Sequence, residues 1–163
     1  MSLETQQRER EFWNRQTQQV ALRLDADLYR VRDLDRHDRN MPWLPYLGYP
    51  RQLDCLLDIV GDVRGKRVLD LGSGNGFLAT LLGRLGAQVE GIDVAEEPLA
   101  IARFRADVSE VSETVKFRVG TADAVEAPAA SFDAIVGSFI LHHLDLSRTV
   151  PELKRLLTPG GKC

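Results

Sequence analysis

Cysteine is almost missing from this chain. Only Cys55 and Cys163 occur, with no CxxC pair and no Cys/His spacing of a zinc ligand set, so neither a disulfide framework nor a metal centre is expected. Long apolar runs are missing too. The longest, around Ala134 to Leu141, is far too short to cross a bilayer, which excludes a membrane partner. There is no excess of positive charge. The formal net charge is −3, and arginines alternate with acids, as in Arg8-Glu9-Arg10-Glu11 and Asp33-Leu34-Asp35-Arg36. That mixture reads as solvated helix surface and not as a nucleic-acid face. The opening stretch, Met1 to Arg15, is polar and mixed in charge, unlike a signal or transit peptide, so the cytoplasm is the expected compartment. No internal repeat or low-complexity segment is visible. What remains is a globular protein of 163 residues, 44% hydrophobic and 28% charged, about one domain in size.

Hydrophobic spacing divides the chain near residue 50. Residues 3–24 read as a helix rich in Glu, Gln and Arg, with Phe12, Trp13, Val20 and Leu24 available for packing. Residues 25–50 are less regular, and Met41-Pro42-Trp43-Leu44-Pro45-Tyr46 reads as an ordered loop. We therefore expect a helical, lid-like extension over 1–50 and a second unit over 51–163. The second unit opens with a helix from Pro50 to about Val60, whose apolar face carries Leu53, Leu56, Leu57 and Val60. From Gly65 strands and helices alternate. Strands are expected at 67–71, 88–92, 115–119 and 132–138, and helices at 77–85, 96–107 and 146–157, the last stopped by Thr158-Pro159-Gly160-Gly161. In the 96–107 helix, Leu99, Ala102 and Phe104 are expected to face inward. This order implies an α/β fold, a parallel sheet with helices on both faces.

The chemistry centres on Val68-Leu69-Asp70-Leu71-Gly72-Ser73-Gly74-Asn75-Gly76, a strand entering a glycine-rich turn and then a helix. Glycine permits a sharp turn and close approach of a ligand, and a helix start presents unpaired N–H groups. Gly74-Asn75-Gly76-Phe77-Leu78-Ala79 also satisfies the loose dinucleotide pattern G-x-G-x-x-A. Asp70 speaks against a pyrophosphate there, because a carboxylate suits a cationic amino-acid end instead. Asp93 follows the second strand about 20 residues after the turn, where an acid can accept bonds from both ribose hydroxyls. This feature is common to nucleoside and dinucleotide sites.

Asp70-x-Gly72-x-Gly74-x-Gly76 resembles the first motif of class I S-adenosylmethionine-dependent methyltransferases. The likeness runs from about Gly65 to Lys162 and is strongest to the small-molecule group that includes ubiquinone and menaquinone methyltransferases. It implies a Rossmann-like fold with S-adenosylmethionine as methyl donor and a small-molecule acceptor. The turn Gly72, Ser73, Gly74 and Gly76 would hold the methionine portion, with Asp70 orienting its ammonium group. Val94 would pack on the adenine, Asp123 would accept from its amino group, and the Ala124 backbone N–H would meet the ring. Ser138, where Ser138-Phe139-Ile140-Leu141-His142-His143-Leu144 leaves the fourth strand, would lie beside the cofactor facing the transferred methyl. His142 is the chosen proton acceptor. A pocket-shaping pair of histidines and an ordinary hydrogen-bonded core histidine remain open alternatives. Trp13, Tyr29, Trp43 and Tyr46 are candidate lid aromatics over the acceptor.

The family's sheet normally has seven strands, and Lys162-Cys163 comes just after the Gly-Gly turn where the fifth should begin. A C-terminally truncated fold is therefore expected, with strand four an apolar edge open to self-association. A non-catalytic cofactor-binding or assembly module and, more weakly, an NAD-dependent dehydrogenase fragment are the alternative functions.

Overall fold

In the computed structural model the described residues are 3–20, 25–31 and 49–163. The fold grows from β1 (Arg67–Leu71), in which Val68, Leu69, Asp70 and Leu71 are all buried. Alternation sends Val68 and Asp70 to one face of the sheet and Leu69 and Leu71 to the other. Each face has its own core. Val68, Val89, Ala134 and Val136 pack with Leu53 and Val60 of α3 (Tyr49–Val60), with Phe77, Leu78, Leu81 and Leu82 of α4 (Phe77–Arg84), and with Leu99, Ala102 and Ala106 of α5 (Glu96–Val108). Leu69, Leu71, Ile92 and Ile135 pack with Leu153 and Leu156 of α6 (Leu146–Leu156). Burying a side chain of this kind contributes roughly 1.5–3 kcal/mol. A strand with two such faces can only be central.

β2 (Gln88–Asp93) and β4 (Phe132–Gly137) flank β1, and β3 (Val115–Val119) lies outside β2, all parallel. The order is β3-β2-β1-β4-β5, so successive connections lead in opposite directions from β1. The expected α/β architecture is observed, with strand bounds within one residue of expectation for β1 to β4.

The fourth strand is not an edge. Leu157–Lys162 forms β5, which pairs parallel to β4 with an irregular register between Phe132↔Leu157 and Ala134↔Lys162. The helix expected to run to 157 stops at Leu156, and the segment read as its terminating turn is a strand. Pro159, Gly160 and Gly161 are poor strand formers, and it is pairing with β4 that overrides them. The self-association expected through an open β4 edge therefore loses its basis. Pro159, without an N–H, interrupts the donor row of β5 as well.

The N-terminal part docks on α5. α1 (Leu3–Val20) and the short α2 (Ala26–Tyr29) both contact it, and the Val31 N–H donates to Ser109 Oγ at 2.9 Å. α1 is described to Val20, so Leu24 falls outside the described residues, as do His37, Asn40 and the 41–46 loop. No helix among the described residues is long and apolar enough to cross a membrane.

Gly76 links turn to core. Its φ is +77°, and a Cβ there would lie 2.6 Å from the Ala102 Cβ and 2.9 Å from its Cα. Both backbone strain and a clash with α5 oppose a side chain. Gly76→Ala should lower stability in equilibrium urea unfolding by about 3 kcal/mol. Gly65→Ala, at φ +71° but with no atom within 4 Å, should cost only about 1 kcal/mol. Equal losses would show that α5 does not constrain the turn.

Candidate functional site

The carboxyl ends of β1, β2 and β4 open into a cavity of about 610 Å³ at the point where the strand order reverses. Ligands of open α/β sheets bind at such a crevice. Asp70, Gly72, Ser73, Gly74, Asp93, Val94, Asp123 and Ser138 all line it, so eight of the sequence candidates converge. Gly76 and Ala124 are not in the lining. Gly76 packs against α5 instead, and Ala124 is exposed beside an isolated bridge to Thr121.

Two hydrogen bonds to the end of β2 hold the turn. The Ser73 N–H donates to the Ile92 carbonyl at 2.9 Å, and the Gly74 N–H donates to Asp93 Oδ2 at 2.9 Å. Asp93 Oδ1 accepts from the Ala95 N–H at 3.0 Å, just before α5. One carboxylate thus ties the β1 turn to the β2 exit. At Gly74, φ +50°, a Cβ would meet nothing nearer than the Gly72 carbonyl oxygen at 4.0 Å, so a ligand can come up to its backbone. Gly72 is glycine for another reason: a Cβ there would meet the Ile140 side chain at 2.5 Å.

Acids surround this space. Glu9, Asp70, Asp93, Asp123 and Asp145 line the cavity, with His143, and no Lys or Arg is among the described lining residues. Asp70 is 2% exposed. Burial pushes its pKa up to about 7, against the hydrogen bond from Ser73 Oγ at 2.7 Å, and the charge of Asp93 pushes the same way. Asp93 is also raised, mainly by burial and in lesser part by Glu9, against N–H bonds from Ala95 and Gly74. Carboxyls whose charged form is disfavoured by desolvation are stabilised in that form by an incoming cation. A diphosphate, by contrast, would meet carboxylates with no lining cation to offset them.

Further along the sheet edge, Asp123 Oδ2 is buried and makes no hydrogen bond, although the Arg148 guanidinium stands 3.3 Å away. On the far side the segment after β4 turns through Phe139, at φ +56°, into a 3-10 turn over Leu141–His143. The two histidines of that run are placed differently. His142 is exposed and outside the lining, whereas His143 lines the cavity. The two ring centres lie 3.8 Å apart, and of the two only His143 reaches the cavity lining. His143 Nδ1 lies 3.0 Å from Glu9 Oε1 on α1. Of the expected lid aromatics, Trp13 and Tyr29 line the cavity, while Trp43 and Tyr46 fall outside the described residues.

Glu9 and Arg105 were not singled out from the sequence. Arg105 is 1% exposed; its Nε donates to the Asn75 carbonyl at 2.9 Å and its Nη1 to the Tyr29 carbonyl at 3.4 Å. The guanidinium lies 5.0 Å from the Tyr29 ring centre and 5.7 Å from that of Phe77. Helical spacing from Leu99 and Ala102 points inward at 105 and 106, which was the signal available. Phe104, expected inside, is half-buried, edge-on to Tyr29 at 5.8 Å.

The raised Asp70 has a stability consequence. Its folded pKa, about 7, exceeds the ordinary value of 3.8, so between those values the folded state holds a proton that the unfolded state has lost. Stability therefore falls as pH rises from about 4 to about 7 and stays lowered above, by at most about 4 kcal/mol. Asp70→Asn should raise the ligand-free melting temperature most at pH 8 and least near pH 4. A difference that does not vary with pH would contradict this.

Known proteins bear on these observations. A family model described as a methyltransferase domain matches residues 69–163. The ubiquinone biosynthesis O-methyltransferase of Sodalis glossinidius is 37% identical over 115 residues, 69% of this chain and 45% of that protein. The crystal structure of an S-adenosylmethionine-dependent methyltransferase from Mesorhizobium loti superposes with a TM-score of 0.60 at 29% identity, over 68% of this chain and 50% of that one. Geranyl diphosphate C-methyltransferase from Streptomyces coelicolor, solved with Mg2+, geranyl diphosphate and S-adenosyl-L-homocysteine, gives 0.77 at 20% identity over 99% and 64%, a likeness of fold. The chain spans about half the length of the curated relatives it matches. With the cavity at the β1 glycine turn and the matched model covering more than half of its residues, the chain belongs to the methyltransferase-domain family, with the Rossmann-like fold of class I S-adenosylmethionine-dependent enzymes.

Proposed function

We propose that this protein transfers a methyl group from S-adenosylmethionine to an O, N or C nucleophile of a small molecule. The observation that carries the reading is the acidic cavity around Asp70 and Asp93, without a basic lining residue among those described. S-adenosylmethionine brings a sulfonium and an ammonium, both cations, and its sulfonium supplies the activated methyl. Asp70 and the turn Gly72-Ser73-Gly74 take the amino-acid end. Asp93 takes the ribose hydroxyls, and Val94 and Asp123 take the adenine, whereas Ala124 lies outside the lining; Asp123 Oδ2 accepts no hydrogen bond and stands 3.3 Å from the Arg148 guanidinium. Gly76 acts indirectly, by fixing the turn against α5. Ser138 and the residues after β4 face the methyl. The proton-accepting role proposed for His142 passes to His143, which borders the same cavity.

The N-terminal extension serves as the lid, with Trp13 and Tyr29 against the cavity. The chain's residues need do little covalent work. They hold donor and acceptor about 3–3.5 Å apart and in line, and they exclude water. Because the sulfonium charge disappears as the methyl leaves, a dry site does not oppose the transition state. The name of the Sodalis relative supports oxygen as the nucleophile. The same acidic lining weighs against an NAD-dependent dehydrogenase.

In calorimetry the chain should bind S-adenosyl-L-homocysteine, and Asp93→Ala should weaken binding about 100-fold, as expected for losing charge-assisted hydrogen bonds. Affinity for S-adenosylmethionine should fall as pH drops below about 7, where a proton on Asp70 competes with the cation, and Asp70→Asn should flatten that dependence. No binding of either nucleoside, or tight binding of NADH in a fluorescence titration, would falsify the proposal. Binding without methyl transfer to a panel of phenols and amines would assign the non-catalytic module instead.

A further inference from the structure

α6 turns one charged stripe toward the loop that leaves β3. Arg148, Glu152 and Arg155 stand at i, i+4 and i+7, and so share a face of the helix. All three reach the segment 121–128, which holds no strand or helix beyond an isolated bridge from Thr121 to Ala124. Glu152 Oε1 accepts from the Val125 N–H at 2.8 Å, and Arg155 donates to the Val125 and Ala127 carbonyls at 3.1 and 2.8 Å. Glu152 and Arg155 are also paired with one another at 2.7 Å. The backbone just past Asp123 is therefore held by side chains of α6 in place of a ladder. The third member, Arg148, is exposed, and its Nη2 stands 3.3 Å from Oδ2 of Asp123, whose side chain is only 8% exposed. Arg148 does not line the cavity, whereas Asp123 does. The cation thus sits behind the carboxylate, with Oδ2 sealed from solvent, and Oδ1 is the oxygen left to the cavity.

Resting on the methyl-transfer reading above, we propose that Arg148 is a positioning residue for base recognition, and that the α6 stripe makes the site selective for an amino-bearing purine. An ion-paired carboxylate is an acceptor only. Fixed from behind by Arg148, and with its loop held by Glu152 and Arg155, it presents that acceptor at one point, where an exocyclic amine can donate. A purine with a carbonyl at the same place would set two acceptors against each other and leave both unpaired. Without Arg148 the carboxylate is free to turn, and the carbonyl purine is rejected less.

The test is calorimetric, with the chain titrated by S-adenosyl-L-homocysteine and by S-inosyl-L-homocysteine, in which an oxo group replaces the adenine amine. Their shared amino-acid and ribose ends cancel in the ratio of the two affinities. Wild type should favour the adenosyl compound at least about tenfold. Arg148 is exposed, so its replacement should leave folding intact. Arg148→Ala should cut the ratio about fivefold, and Arg148→Lys should recover part of it. Because the arginine is open to solvent, added salt should shrink the wild-type ratio and leave that of Arg148→Ala unchanged. Glu152→Ala, which strips the Val125 N–H of its acceptor, should also lower the ratio; Glu152→Gln keeps an acceptor and should lower it less. Equal weakening of both ligands in Arg148→Ala, or an unchanged ratio, overturns the proposal, as does a wild type that binds both alike. A wild type that binds neither compound removes the underlying methyl-transfer reading instead.

Discussion

The bond from the Gly74 N–H to Asp93 Oδ2 is the joint on which the site depends. β1 and β2 are adjacent parallel strands, so their ends are neighbours, but nothing in strand pairing alone decides where the turn beyond β1 goes. The Asp93 carboxylate does that from the end of β2, and its other oxygen caps the entry to α5 through Ala95. The same acid therefore shapes the turn and faces the cavity. Burial that raises its pKa is the cost of having one group do both.

Asp70 carries that logic further. By alternation it shares a face with Val68, so it occupies what would otherwise be a core position of the central strand. An apolar residue there would have stabilised the sheet more. A carboxyl so placed is disfavoured when charged, and under the proposed function a bound cation would couple ligand binding to its ionisation. Local instability of this kind marks functional positions more often than packing ones.

The N-terminal segment is fastened at the same centre. Arg105 reaches from α5 to the backbone of Asn75 in the glycine turn and of Tyr29 at the end of α2. A guanidinium tolerates such burial because carbonyls and ring faces replace its water. The turn, α5 and the N-terminal segment thus share one anchoring side chain. Glu9 and Trp13 then meet the β4 exit from above, and a segment that looks like an ordinary charged helix acquires a position in the site.

Short apolar or alternating runs at 67–71, 88–92, 115–119 and 132–138, separated by helical spacings, were enough to predict the parallel sheet, because strands buried on both faces or on one read as such runs. The turn from Asp70 to Gly76 was equally legible, since glycine spacing and a strand-end acid are local features. β5 was not, for Pro159 and two glycines carry no strand signal and only the open side of β4 recruits them. Nor could the chain order alone show that His143 and not His142 borders the cavity, place Ala124 outside it, or pair Glu9 with a residue 134 positions away. Local sequence sets local conformation and buried period. Which side chains face one another across a cavity depends on how helices and turns dock, and that was decided only when the tertiary contacts formed.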